Sequence, residues 1–187
     1  MIRVKACAVS SMSVPKLEMS GHSDHLSDSD APRIRFAEPA DAAALADLRY
    51  ALRSSTGTAT EPRPDFLARC TAWMENHLRD EQRWRCWVAE QHEKLLGAVW
   101  LQLVEKIPNP RAETEHHAYV TNFYIDEAAR GRGLGSRLLH IVIEWCQSHD
   151  VHAVILWPTE RSRSLYQRYG FAVREDIMEL IIDSPPK

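Results

Sequence analysis

The residues best placed to do chemistry are Arg130-Gly131-Arg132-Gly133-Leu134-Gly135-Ser136, a run of glycines and arginines with no acid in it. Before it stands a β-branched and aromatic run, Tyr119-Val-Thr-Asn-Phe-Tyr-Ile125, which reads as a strand, and after it come apolar positions at helical spacing. Helix starts ordinarily recruit Asp or Glu, because the free backbone N–H groups there carry partial positive charge. From Arg130 onward the first acid is Glu144, so this helix start keeps its N–H groups for a foreign anion. A phosphate or pyrophosphate cradled by bare N–H groups is the natural occupant. The competing reading is an ordinary basic surface turn, and on the loop alone both stand.

Two well-known phosphate motifs fail on spacing. The dinucleotide fingerprint needs glycine at position 136, which is serine, and the P-loop needs Gly-Lys-Ser/Thr. The pattern present is Arg/Gln-x-x-Gly-x-Gly/Ala, on Arg130, Gly133 and Gly135. Downstream, Ser164-Leu165-Tyr166-Gln167-Arg168-Tyr169-Gly170-Phe171 supplies Leu-Tyr-x-x-x-Gly-Phe, a helix closed by glycine and separated from the first motif by a strand. With these two ordered motifs, residues 33–183 resemble the GNAT superfamily of N-acetyltransferases.

The resemblance implies acetyl-CoA as cosubstrate and no metal. It places the pyrophosphate at Arg130, Gly131, Arg132, Gly133, Leu134, Gly135 and Ser136. It lays the backbone of Phe123, Tyr124 and Ile125 along the pantetheine arm, with the Ile125 N–H at the thioester oxygen, where a fixed donor stabilises developing charge. Tyr166 falls on the family's catalytic tyrosine, the acid for the departing thiolate; its other reading is a packed aromatic that only bonds the coenzyme. The implied fold is α/β: a mostly antiparallel mixed sheet flanked by helices, whose central strand and the strand over 151–157 run parallel and splay apart to admit the pantetheine.

Some positions depart from the family. Where histone-modifying members carry a glutamate, six residues before Ile125, this chain has Tyr119, a poor base with a reference pKa of about 10. His117 shares a strand face with Tyr119 and Thr121 by alternation and is a candidate base or water relay, against the reading of a satisfied surface histidine. Thr159 and Ser162 replace the family's Asn-x-x-Ala, which puts coenzyme contacts there in doubt. The acidic-Val-Arg-x-Ser-Asn signature of ribosomal-protein acetyltransferases is missing from Leu156-Trp157-Pro158-Thr159-Glu160-Arg161. Acceptor choice in this fold comes from the loop between the first helices and from the last hairpin. Glu61, Asp65, Glu175 and Asp176 lie there, able to attract a cationic amine or simply solvated.

The elements that must position these residues follow from pattern. Residues 33–38 alternate as a first strand, and Asp41 caps a helix to about residue 52. A second helix over 65–78 presents Phe66, Cys70, Trp73 and His77 as a core-facing stripe. Residues 84–90 and 95–104 form a hairpin, 115–125 the central strand, and 134–149 an amphipathic helix. A buried strand over 151–157, a short helix to residue 169 and two closing strands over 171–174 and 177–182 complete the chain.

A length of 187 residues allows one domain with a real core, here 33–187, behind a Ser/Asp/His-rich leader over 1–32. A net charge of −3 argues against a general nucleic-acid binder. Cysteines at 7, 70, 86 and 146 have neither disulfide nor zinc spacing, and no apolar run suits a membrane span or signal peptide, so a reduced, cytoplasmic chain is expected. The reading is an N-acetyltransferase acting on a primary amine, a small molecule before a protein or peptide. The expected partner is that acceptor, with no nucleic acid and no membrane; a homodimer is compatible. The alternative class is an acyl-CoA-binding sensor without turnover, with nucleic-acid binding through Arg130 and Arg132 behind it.

Overall fold

The computed structural model describes residues 31–80, 83–108, 110 and 116–182. The leader, apart from its last two residues, and Glu115 at the expected start of the central strand lie outside them. In order come β1 (Arg33–Phe36), α1 (Ala42–Ser55), α2 (Arg63–Arg79), β2 (Trp84–Gln91), β3 (Lys94–Glu105), β4 (His116–Ile125), α3 (Leu134–Ser148), β5 (Val151–Ile155) and α4 (Glu160–Arg168). The strands form a single mixed sheet in the order β1-β2-β3-β4-β5, antiparallel up to β4 and parallel between β4 and β5. This is the expected α/β mixed sheet.

Period-two alternation sends the side chains of each strand into two cores. Cys86 and Val88 of β2 join Leu45, Ala46 and Met74 beneath α1 and α2, while Trp87 and Ala89 join Leu138, Val142 and Cys146 beneath α3. Leu45, Val88, Leu138 and Val142 are all 0 % exposed. Burying each such side chain contributes about 1.5–3 kcal/mol, which holds the sheet rigid between its helices.

Three expectations are corrected. Asp41 stands before α1 but makes no side-chain cap. Its carboxylate instead accepts from Arg35 at 2.7 and 2.9 Å and from the Glu38 N–H at 2.7 Å, because Arg35 also reaches Glu90 and clamps β1 to β2. The inner stripe of α2 is Leu67, Cys70, Met74 and Leu78, one position round from the stripe expected. Trp73 is 41 % exposed and stacks on His77 at 3.8 Å, the two rings extending an aromatic row with Trp84 and Trp100 at the rim of the core. Residues 171–182, expected as two strands, have no ladder partner among the described residues: Met178 and Leu180 are 97 % and 82 % exposed. Alternation there reports side chains suited to a strand, but a strand also needs an edge to pair with.

Candidate active site

The site begins where the sheet opens. β4 and β5 pair from His116↔Val151 to Tyr119↔Ile155 and no further, although β4 continues to Ile125. Pro158, which has no N–H for a ladder, follows β5 closely. On its other side β4 carries a bulge: Ala98 faces Tyr124 and Trp100 faces Thr121, so one residue of β3, Val99, opposes two of β4, Asn122 and Phe123. Asn122 takes up the extra length at φ 49°, a left-handed conformation that Asn tolerates better than most residues. Arg49 Nη1 on α1 donates to Asn122 Oδ1 at 3.2 Å. The bulge also switches facing parity, since Ala118 and Val120 before it and Phe123 and Ile125 after it all pack on the α3 side.

Beyond the bulge the backbone of Ile125 is freed from β3. The Asp126 N–H donates to Leu96 O at 2.8 Å, and Ile125 is the next partner along, opposite Gly97. Ile125 is therefore in a non-hydrogen-bonded pair, and its N–H and C=O point away from β3 into the gap on the β5 side. The carbonyl accepts from Arg130 Nε at 2.9 Å. Gly97 allows the close approach: a Cβ there would lie 2.7 Å from Tyr124 O and 2.5 Å from Ile125 Cδ1.

The gap widens into a groove of about 850 Å³ whose walls are β4, the start of α3, α4 and the end of α1. At the α3 end the sequence reading has a physical counterpart. Gly131 and Gly133 sit at φ 77° and 75°, Gly133 is the helix N-cap, and no acid occupies the first turn of α3. Open space surrounds both glycines, and the first-turn N–H groups of Leu134, Gly135 and Ser136 have no helical partner. An anionic diphosphate fits this end by charge, shape and hydrogen-bonding capacity. The two arginines of the loop differ. Arg130 lines the groove and is tied into the protein by Nε, bonded to Ile125 O, and by Nη1, paired with Glu127 at 2.7 Å, its guanidinium lying 5.3 Å over the Tyr124 ring, while its buried Nη2 has no hydrogen-bond partner among the described residues. Arg132 is exposed and does not line the groove.

Tyr166, on α4, forms part of the opposite wall. Its ring lies 6.3 Å from Phe123 and 5.6 Å from Phe171, it is 7 % exposed, and burial pushes its phenol up to about 12. The Tyr169 hydroxyl donates to Ser136 O at 2.8 Å, fastening the end of α4 to the first turn of α3. Tyr166 is thereby held against the helix start where the anion fits. Thr159 and Ser162 line the groove but spend their hydroxyls on each other and on the capping box of α4.

Candidate bases and acids fall elsewhere. His117 lies in the closed, paired part of β4, stacked on His152 at 5.5 Å, and does not line the groove. Tyr119 does line it, edge-on to Trp157 at 4.9 Å. Among the described residues, Glu127 is the sole acid of the groove wall. Glu61 is paired with Arg69 at 2.5 Å and Asp176 with Arg174, while Asp65 and Glu175 are exposed and away from the groove. Sequence reasoning missed Arg49 and Arg53, which α1 brings into the wall. A signal existed: Arg49 follows the fully buried Leu45 and Ala46 by four and three residues, which puts an arginine on the inner face of the helix.

Comparison with known proteins agrees with this geometry. No curated protein sequence matches the chain. A predicted acetyltransferase with acetyl-CoA from Clostridium acetobutylicum superposes with a TM-score of 0.68 at 22 % identity, covering 81 % of this chain and 96 % of that one. Glucosamine-6-phosphate N-acetyltransferase from Arabidopsis thaliana gives 0.62 at 18 % identity, covering 82 % and 100 %. An aminoglycoside acetyltransferase from an uncultured soil metagenomic sample gives 0.61 at 16 % identity, covering 83 % and 99 %. At such identities the likeness shows the fold. The Acetyltransferase (GNAT) family profile, in turn, matches residues 47–171, from the middle of α1 through Tyr166 to Phe171. The chain belongs to the GNAT acetyltransferase family, an acyl-CoA-dependent acetyltransferase.

Proposed function

We propose that the protein transfers the acetyl group of acetyl-CoA to the primary amine of a small molecule by direct attack in a ternary complex. The observation that carries this reading is the backbone of Ile125, turned away from β3 into a groove that ends at an acid-free helix start. The first-turn N–H groups of α3 bind the diphosphate, and Phe123, Tyr124 and Ile125 orient the arm along β4. The Ile125 N–H donates to the acyl oxygen as charge develops there, in a position fixed before the reaction starts. Tyr166 keeps its proton, because burial holds its phenol near 12, and donates a hydrogen bond to the thiolate as the C–S bond breaks, while the proton shed by the new amide nitrogen passes to the sulfur. With Glu127 paired and no histidine in the wall among the described residues, the amine enters as its free base or loses its proton to water in the groove.

The acceptors named for two structural neighbours, an amino sugar phosphate and aminoglycosides, are both small-molecule amines and support this reading. Release of free thiol from acetyl-CoA with a panel of amines is the test. Thiol release that depends on an amine is expected. Tight coenzyme binding with no turnover on any amine would assign the chain to the sensor class instead.

A further inference from the structure

We propose that the acceptor carries an anionic group beside its amine, a carboxylate or a phosphate monoester, and that Arg49 and Arg53 hold that anion. The inference rests on the acetyl-transfer reading above and names the substrate class for the same site.

Arg49 and Arg53 stand one turn apart on α1 and line both the main groove and an adjoining cavity of about 400 Å³. The other charged groups nearby are already paired: Glu61 and Arg69, which also line the smaller cavity, with each other at 2.5 Å, and Arg63 with Asp47 at 2.6 Å. Arg49 has only the neutral amide oxygen of Asn122, and neither Arg49 nor Arg53 has a carboxylate partner among the described residues. Burial and then the charge of Arg53 both disfavour the Arg49 cation. Two close guanidinium groups, one of them half-buried, are costly to hold together unless an anion arrives to bridge them. Planar guanidinium forks match carboxylate and phosphate oxygens in paired, charge-assisted hydrogen bonds. Tyr50 and Phe66, whose rings lie 5.6 Å apart, form an aromatic wall of the same cavity.

Position decides whose anion it is. Along β4, Arg49 contacts Asn122, the free N–H follows at Ile125, and the glycine loop comes after that. The acyl carbon thus sits between the two basic ends, and the pyrophosphate belongs to the α3 end. An anion at Arg49 belongs to the molecule entering from the other side. From Asn122 to Ile125 is at most about 10 Å of extended chain, so amine and anion sit within one small molecule of a few bonds' span.

The test uses the full chain and matched acceptors: amino acids against their carboxamides, and amino sugars against their phosphate monoesters. Thiol release measures turnover. Calorimetry on protein saturated with coenzyme A, so that the pyrophosphate end is filled, measures acceptor binding independently. In at least one pair the anionic member is expected to bind and react about tenfold or more better, and the pair that responds identifies carboxylate or phosphate as the source. Arg53→Glu, on an exposed side chain, should bring that preference ratio down to one or below. Arg49→Lys, which keeps charge and loses the fork, should reduce it by part of that amount. Selective binding of the anionic member without turnover would support the inference while sinking the acetyl-transfer reading. Turnover with no preference for the anion, or a preference that survives Arg53→Glu, would overturn the inference and leave acetyl transfer standing. Failure of every anionic acceptor to bind would overturn it as well.

Discussion

A phenol serves as an acid toward a thiolate only while it holds its proton. Tyr166, pushed up to about 12 by burial, is protonated across the whole neutral and mildly alkaline range. A phenol of ordinary pKa near 10 would be half ionised at pH 10, whereas at about 12 only about 1 % is lost. The single-turnover rate is therefore expected to show no alkaline fall between pH 8 and pH 10, and a fall centred near pH 10 would remove the proton donation. Tyr166→Phe keeps the ring between Phe123 and Phe171, so folding and coenzyme affinity should hold while the single-turnover rate drops by about 10²–10⁴. That loss corresponds to about 3–5 kcal/mol of barrier, and an unchanged rate would leave Ile125 and positioning as the main contributors. The place of Tyr166 in the groove wall was legible in the sequence because a helix, a closing glycine and a fixed spacing surround it. Alternation set His117 on one strand face with Tyr119 and left both its readings open; it lies off the groove wall, in the half of β4 that stays paired with β5. Arg130 was found as a loop residue, and its bonds to Ile125 O and Glu127 also make it the brace of that loop, with only its buried Nη2 left unpartnered at the groove among the described residues.

At the scale of elements, strands and helices were readable to within a few residues, and the break between β4 and β5 was implied only by family. The bulge that frees Ile125 left no mark in the sequence, since Thr121, Asn122 and Phe123 read as unbroken strand. Gly97 is the residue on which that geometry can be tested. Gly97→Ala places a methyl group against a backbone carbonyl, and relief requires β4 to move. A cost of about 1–3 kcal/mol in urea unfolding is expected, together with a slower single turnover as Ile125 shifts. Wild-type behaviour in both measurements would mean that β3 does not hold Ile125 in place. For the α3 end, Gly133→Ala and Gly133→Glu share the strain of a side chain at φ 75° and differ in charge. Acetyl-CoA affinity should fall modestly with Ala and disappear with Glu. Equal losses in the two variants would reduce the effect to strain and withdraw the anion site. The expected strands over 171–174 and 177–182 remained beyond sequence reasoning because pairing is a property of two segments, and local pattern describes one.

For the molecule as a whole, the charge is unevenly placed. The chain carries −3, yet the groove wall sets Arg49, Arg53, Arg130, Arg161 and Arg168 against Glu127 alone among the described residues. A net-charge argument weighed against a general nucleic-acid binder but could not see this local field, which favours a polyanionic coenzyme and weakens with salt. A ligand there would touch β4, the start of α3 and α4 together, the last two of which the Tyr169–Ser136 hydrogen bond already links across the open edge. Ligand that binds only the folded chain stabilises it by mass action, about 2.7 kcal/mol at a concentration 100 times the dissociation constant. For a chain of this size that is a rise in melting temperature of roughly 5–10 °C. Every residue named at the site lies within 31–182, so protein beginning at Ala31 should show the same rise and the same coenzyme affinity. The shift should shrink as ionic strength increases, because the site is electrostatic. A folded sample with no shift in millimolar acetyl-CoA would sink the coenzyme assignment, and a shift confined to the full chain would make residues 1–30 part of the site.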